Sequence, residues 1–261
     1  MGDRVGRRRR AHRLLRGAPG RRGACGRLAV LRVAALIEPG AVTVAVIAKE
    51  PLPGRAKTRL CPPCSPAEAA RVAEAALHDT LEAVTGANTR RRVLFLEGEP
   101  GSWMPTGFEV VPQVDGGLGA RLDAVFAHVD GPGVVVGMDT PQLGARSVDA
   151  ACRALTDGAA DAVLGPAADG GYWTIGFRSH VDGAFDDVPM SRADTRVVQE
   201  ARLASLGLQV AVVHELRDID HWSDALAIAG EFPDLRTSAV VRSISGAAGD
   251  GVVDGSVADG R

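Results

Sequence analysis

From residue 43 onward the chain alternates short apolar runs with longer stretches of helical spacing. Thr43 to Ala48 is almost wholly apolar and predicts a strand buried on both faces. Ser65-Pro66-Ala67-Glu68 predicts a helix start: Ser65 can cap, Pro66 suits the first helical position, and Glu68 completes a capping box. Ala69, Val72, Ala73, Ala76, Leu77, Thr80, Leu81 and Val84 then recur on one helical face, and Gly86 can end the helix. Strands follow at Arg92 to Glu97 and Phe108 to Val111, and a helix opens within Asp115-Gly-Gly-Leu-Gly119-Ala-Arg121 and runs to about His128. Val134 to Val136 reads as a strand, Arg146 to Leu155 as a helix, and Ala162 to Leu164 as a short strand. Thr174 to Phe177 reads as a strand that turns back. Thr195 to Leu206 reads as a helix, Gln209 to His214 as a strand, and His221 to Ala229 as a last helix. Strands alternating with helices predict an α/β protein with a mostly parallel sheet covered on both faces. Ligands of such sheets bind beyond the carboxyl ends of the strands.

Three segments follow from this pattern. Residues 41–232 carry the periodic domain. Residues 233–261 drift to Gly, Ser, Asp and Val without period and read as a tail, disordered from about Ser245. Residues 1–40 hold eleven arginines and two acids and read as an Arg-rich extension, either disordered or translated from upstream of a native start at Val42. The formal net charge of −2 is therefore +9 in residues 1–40 and −11 in the remainder. A body this acidic argues against a nucleic-acid partner, and no apolar run approaches the roughly 18 residues of a membrane span. A cytoplasmic location is expected. Cys61-Pro-Pro-Cys64 sits in a proline-rich loop with no second paired motif, so an ordinary reduced loop is expected rather than zinc or redox chemistry.

Candidate chemistry gathers at the predicted strand ends. Ala48 to Leu60 packs Lys49, Arg55, Lys57 and Arg59 beside Gly54 and two prolines, immediately after the first strand. Gly54 would let backbone approach a phosphate, and the cations would neutralise it. The chain has two lysines against twenty-eight arginines, and both lysines lie here, which favours a role for the compact ammonium charge. The Gly117 and Gly119 region could approach a nucleotide base or ribose, or be a plain turn into a helix. Asp139 ends an apolar strand, where a carboxylate can hold Mg²⁺ or Mn²⁺ together with substrate phosphates. Asp218 or Asp220 could supply a second ligand, and alternation along an extended Asp-Ile-Asp leaves only one of them facing the site. Asp169-Gly170-Gly171-Tyr172-Trp173 could press an acceptor against backbone, with Asp169 orienting a hydroxyl, acting as base or touching the metal. Its aromatics could stack on a sugar or simply pack.

Four ordered motifs carry a resemblance: Ala-Lys-x-Pro-x-x-Gly-x-x-Lys-Thr-Arg-Leu (48–60), Gly-x-Asp-x-Pro (137–141), Gly-Pro-Ala-x-Asp-Gly-Gly-Tyr-Trp (165–173) and Asp-x-Asp-x-x-x-Asp (218–224). Together they resemble the DUF2064 family, whose members are often labelled glycosyltransferases, over roughly residues 43–230. The resemblance implies a three-layer Rossmann-like GT-A fold, a branch of the nucleotide-diphospho-sugar transferase superfamily. It implies phosphate contacts from Lys57, Arg55 and Arg59, metal ligation by Asp139 with Asp218 or Asp220, and an acceptor side lined by Asp169, Gly170 and Gly171. The expected protein is thus a Mg²⁺- or Mn²⁺-dependent transferase, with a nucleotide or nucleotide-sugar and a small-molecule acceptor as partners. Glycosyl transfer is the first reading, nucleotidyl transfer with release of pyrophosphate the alternative, and a non-catalytic nucleotide-binding protein the third. Lys57 and Asp169 are the expected catalytic residues, and Tyr172 is expected on the acceptor side. Oligomeric state, donor and acceptor are left open by the residues.

Overall fold

A computed structural model describes residues 40–158 and 160–250. The Arg-rich extension expected at residues 1–40 lies, but for Gly40, outside the described residues, as does the last part of the expected tail, 251–261. Seven strands form one sheet in the order β3-β2-β1-β4-β6-β5-β7. They span Thr43–Lys49 (β1), Arg91–Glu97 (β2), Glu109–Pro112 (β3), Gly133–Gly137 (β4), Ala162–Pro166 (β5), Tyr172–Phe177 (β6) and Val210–Val212 (β7). The pairs β1–β2, β1–β4, β2–β3 and β5–β7 are parallel, whereas β6 is antiparallel to both β4 and β5. So β6 is the one reversed strand, as its expected turning back requires. The sheet order reverses between β1 and β4, which opens a crevice at their carboxyl ends.

Side-chain alternation on the central strands divides the core. Val44, Val46, Ala48, Leu94, Leu96, Val134 and Val136 meet helices α1 (Pro66–Gly86) and α3 (Ala145–Thr156) through Leu77, Leu81, Val148 and Leu155. Ala45, Val93, Phe95, Val135, Ile175 and Phe177 face the other way. They meet Leu122, Val125 and Phe126 of α2 (Leu118–His128) and Leu203 of α4 (Thr195–Ser205). The result is the expected three-layer α/β arrangement. After β6 ends at Phe177, residues 178–194 run back along the α2 face, where Ala184 and Phe185 are buried, to reach the start of α4. The predicted capping box is present on α1: the Glu68 N–H donates to Ser65 Oγ at 3.3 Å, and the Ser65 N–H donates to the Glu68 carboxylate at 2.8 Å.

The C-terminal side departs from the sequence expectation. Beyond α5 (Trp222–Glu231), residues 236–250 form a further helix, α6, within the segment read as a tail. Its apolar face is short, but Val241 and Ile244 pack with Val72 and Ala76 of α1 and with Ala225 and Ile228 of α5. Its start is capped from a distance. The carboxylate of buried Asp79 on α1 accepts from the Arg236 N–H (3.2 Å), the Thr237 N–H (2.9 Å) and the Thr237 hydroxyl (2.7 Å). A cap donated by another helix leaves no local signature, which is why the pattern along residues 233–250 is silent. No helix among the described residues is long and apolar enough to cross a membrane.

Replacing Asp79 by Ala should destabilise the domain by about 2–3 kcal/mol, since a cap is lost and buried donors are left unpaired. Urea denaturation of the full chain checks this, and a loss under about 0.5 kcal/mol would show that α6 is held by its apolar contacts alone.

Candidate active site

The carboxyl edge of the sheet carries all four motif loops. Leaving β1, the chain passes through a turn at Gly54, whose φ of +74° is the left-handed region that glycine adopts without strain. It continues into a short 3-10 turn over Thr58–Leu60. Leu60 is fully buried against α1, α5 and α6, and Ala56 is nearly so. These two apolar anchors hold the loop down and turn Lys57 inward. Its side chain is only 9% exposed, whereas those of Lys49, Arg55 and Arg59 are 56%, 62% and 63% exposed. Lys57 Nζ lies 3.0 Å from Asp139 and 3.7 Å from Asp220, and it donates to the carbonyl of Ile219. The Ile219 N–H in turn donates to the Asp139 carbonyl at 2.9 Å. One ammonium therefore joins the loops after β1, β4 and β7.

Asp169, Asp218 and Asp220 offer carboxylate oxygens within 4.8 Å of one another. Asp218 and Asp220 lie on one loop, and Asp169 reaches them because β6 begins where the other strands end. Asp169 sits in the β5–β6 turn with its Oδ1 accepting from the Gly171 N–H at 2.7 Å. Gly170 has φ +92°, and a Cβ there would stand 2.0 Å from the carbonyl oxygen of Ala193. Glycine is needed so that the chain entering α4 can lie against the turn, where the Arg196 N–H donates to the Gly170 carbonyl at 3.0 Å. Desolvation raises Asp218 to about 6, and the charges of Asp169 and then Asp220 push in the same direction. Desolvation first, and like charge from its neighbours second, drive Asp218 toward neutrality, and a divalent cation would reverse both effects. The all-oxygen donor set fits Mg²⁺ or Mn²⁺. The sequence reading placed Asp139 with Asp218 or Asp220 in this role. The geometry instead groups Asp169 with both Asp218 and Asp220 and sets Asp139 beside Lys57.

Two hollows meet here. A cleft of about 540 Å³ is lined by Lys49, Gln113, Arg121, Asp139, Asp169 and Tyr172, among others. A cationic notch of about 200 Å³ is lined by Lys49, Arg55, Lys57, Arg59, Asp139 and Asp220. They share Lys49, Met138 and Asp139. Gly54 shapes the turn beside the notch without lining it, and Gly117 and Gly119 lie at the start of α2, where Gly116, Leu118 and Arg121 line the cleft in their place. Gly171 lines the cleft, and Gly170 serves the fit beneath the turn. Tyr172 also lines it, its hydroxyl donating to Gln199 at 3.3 Å, and desolvation pushes the phenol well above its ordinary range. Trp173 also lines the cleft, but it is largely buried and donates to the His214 carbonyl at 3.0 Å, so it packs with the core and leaves little ring exposed.

Two cleft residues, Gln113 and Arg121, and the neighbouring Glu97 escaped the sequence reading. Glu97, at the end of β2, gathers Lys49 (3.5 Å), Arg55 (3.8 Å) and Arg121. Arg121 holds Glu97 well below the usual carboxylate range. Gln113 donates to the carbonyls of Ala48 and Phe95 and accepts from Arg121 at 3.0 Å. Position at a carboxyl strand end was the available signal for Glu97, and the strand-to-helix loop for Gln113. The Cys61 and Cys64 thiols are unbridged, and burial pushes Cys64 up to about 11, so it is not a poised thiolate.

A raised carboxyl has a definite pH signature. Protonated Asp218 contributes stability that is fully present below about pH 4 and lost as the pH rises through about 6. Asp218→Asn should therefore raise the Tm of metal-free protein most at pH 7–8, with the gain shrinking toward pH 4. Thermal melts across that range decide it. A gain that is flat with pH, or larger in acid, would contradict the crowding of these carboxylates.

Comparisons with known proteins bear on the fold. A crystal structure from Desulfovibrio desulfuricans G20, provisionally labelled a nucleotide-diphospho-sugar transferase, superposes with a TM-score of 0.70 at 24% identity. The match covers 78% of this chain and 95% of that one. Rv0371c from Mycobacterium tuberculosis H37Rv aligns at 19% identity with a TM-score of 0.46, over 74% of this chain and 98% of that one. A CMP:2-keto-3-deoxy-manno-octonic acid synthetase complexed with CTP aligns at 13% identity with a TM-score of 0.49, over 72% and 96%. The first of these shows the fold. No curated protein matches. The Gly137–Pro141 and Gly165–Trp173 motifs fall within the span that gives the chain its family likeness: residues 71–192 match DUF2064, described as "Uncharacterized protein conserved in bacteria".

Proposed function

We propose that the protein is a divalent-metal-dependent transferase that uses a nucleotide-activated donor and passes a glycosyl group to a small-molecule acceptor. One observation carries this reading. An enclosed lysine, Lys57, stands between Asp139 and Asp220, at the border of a three-carboxylate cluster and a cationic notch. A diphosphate is the chemical group that calls for both halves at once. Asp169, Asp218 and Asp220 would hold Mg²⁺ or Mn²⁺, which when bound supplies positive charge to offset the departing diphosphate. Lys57 is fixed in place to stabilise the same charge from the other side. Arg55 and Arg59 are exposed and, among the described residues, paired only with Glu97 and Asp220, partners that they can exchange for phosphate oxygens. The nucleoside is assigned to the wider cleft near Gln113 and Arg121. The acceptor is assigned to the side formed by Asp169, Gly171 and Tyr172, with Met190, Ser191 and Thr195 as its wall.

A second reading, nucleotidyl transfer to a phosphorylated or phosphonate small molecule with release of pyrophosphate, uses the same cations. It is favoured by the burial of Trp173, which leaves little of that ring for a sugar to stack on. The label on the Desulfovibrio structure belongs with the first reading.

Incubation with nucleoside triphosphates or nucleoside diphosphate sugars, candidate acceptors and Mn²⁺ separates the readings. Release of nucleoside diphosphate supports glycosyl transfer, and release of pyrophosphate supports nucleotidyl transfer. Nucleotide binding without turnover throughout the panel would leave a binding protein. In either enzyme Lys57→Ala should lower kcat by about 10²–10³-fold. Asp218→Ala should abolish the rise in Tm that Mn²⁺ gives the parent. An unchanged Mn²⁺ response would overturn the carboxylate assignment.

A further inference from the structure

A second charged hollow lies at the opposite edge of the sheet. It measures about 470 Å³ and is lined by Thr89, Arg90, Arg91, Arg92, Gly107, Phe108 and Glu109, around the amino ends of β2 and β3. Along β2, Arg92 stands five residues before Glu97 of the candidate active site, a separation of roughly 17 Å at strand rise. The two sites are thus distinct.

The three consecutive arginines are not equivalent. Arg91 is neutralised by Glu109, with its Nε 2.8 Å from the carboxylate, and Glu109 also meets His128 at 3.1 Å. Arg90 and Arg92 have no carboxylate partner among the described residues. Arg90 reaches only the Asp130 carbonyl at 3.4 Å, and Arg92 only the Thr85 carbonyl at 3.2 Å. Arg92 Nε and Thr89 Oγ1 are enclosed, and neither has a hydrogen-bond partner. Enclosed polar groups without partners are uncommon, because each costs its lost hydration. Here two occur at one hollow, beside two unneutralised guanidinium groups, on a body with net charge −11.

We propose that this hollow is an anion site for a phosphate monoester, with Arg90 and Arg92 as the charge partners of the phosphate and Phe108 as a wall for the organic part. Guanidinium groups match phosphate geometry in charge and in paired donors. Phe108 is partly buried and packs against the sheet core, so the wall is fixed in place. The site requires no divalent cation, since the only carboxylate lining it is committed to Arg91 and His128.

Phosphorus NMR titration of the full chain with inorganic phosphate and with phenyl phosphate, in EDTA, tests the assignment. Phenyl phosphate should bind more tightly than phosphate. Arg90→Gln and Arg92→Gln should each weaken both by about tenfold, in the parent and equally in a Lys57→Ala background. Arg90 is exposed and makes one long hydrogen bond, so Arg90→Gln still decides the matter if Arg92→Gln disturbs folding. Binding lost in Lys57→Ala and kept in both arginine variants would overturn the proposal by placing the phosphate in the notch. Binding unaffected by all three variants, or none at millimolar phosphate, would equally overturn it. None of these outcomes depends on which transfer reaction the other edge performs.

Discussion

Three carboxylates within 4.8 Å of one another are a standing electrostatic debt, and much of the architecture at the sheet's carboxyl edge answers it. Like charges at such spacing repel strongly in a half-buried setting, and the rise of Asp218 to about 6 records that repulsion together with its desolvation. The protein supplies one fixed cation, the Lys57 ammonium. To hold it there, the chain commits Leu60 and Ala56 to burial, ties Ile219 to Asp139, and spends the Ile219 carbonyl on Nζ. A buried ammonium without partners would be costly; with two carboxylates and a carbonyl it becomes the joint between three loops.

A second, outer arrangement surrounds the first. Glu97 gathers Lys49, Arg55 and Arg121, and Asp220 gathers Arg59. Pairs this exposed contribute little to stability. Their value is that they keep cations near the notch without fixing them to it, so that a ligand of higher charge can take them over at small cost. The inner lysine is positioned by packing and the outer cations by exchangeable pairing, which explains why the same cationic loop contains both buried and exposed members.

Much of this was legible along the chain. Apolar runs marked the central strands because a doubly covered sheet leaves no room for polar alternation. The Ser65-Pro66-Glu68 start of α1 is a local capping device and is visible as one. The four motif loops fell at strand ends, so their convergence followed from a parallel sheet. Contacts made across long separations were not legible. Asp79 caps a helix 157 residues away, so α6 carried no signal of its own beginning. Glu97 looked like the polar end of a strand until its three cations arrived from other elements. The grouping of Asp169 with Asp218 and Asp220, in preference to Asp139, depends on side-chain direction in two turns, which residue order does not encode. Trp173 shows the same limit: its place in a motif suggested a platform, and Gly165 beneath it, with no room for a Cβ, makes it a core residue.

The reversed strand β6 has a consequence for how such a protein can change. Because β6 carries the chain away from the active edge, residues 178–194 must return across the α2 face before α4 can start. That return path ends as the wall formed by Met190, Ser191 and Thr195, opposite the Asp169 turn. The turn itself is locked by the hydrogen-bond ladder of β5 and β6, whereas the return path is held by the burial of Ala184, Phe185 and Val188 and by the Thr195 hydroxyl donating to the Pro189 carbonyl at 2.7 Å. Its last residues are tied to that turn, since Ala193 packs on Gly170 and the Arg196 N–H donates to the Gly170 carbonyl, so variation in the wall is confined to side chains that face the cleft, such as Met190 and Ser191. The fold thus separates two inheritances: an Asp169 turn written into strand register, and the facing wall of the cleft written into a single connecting segment.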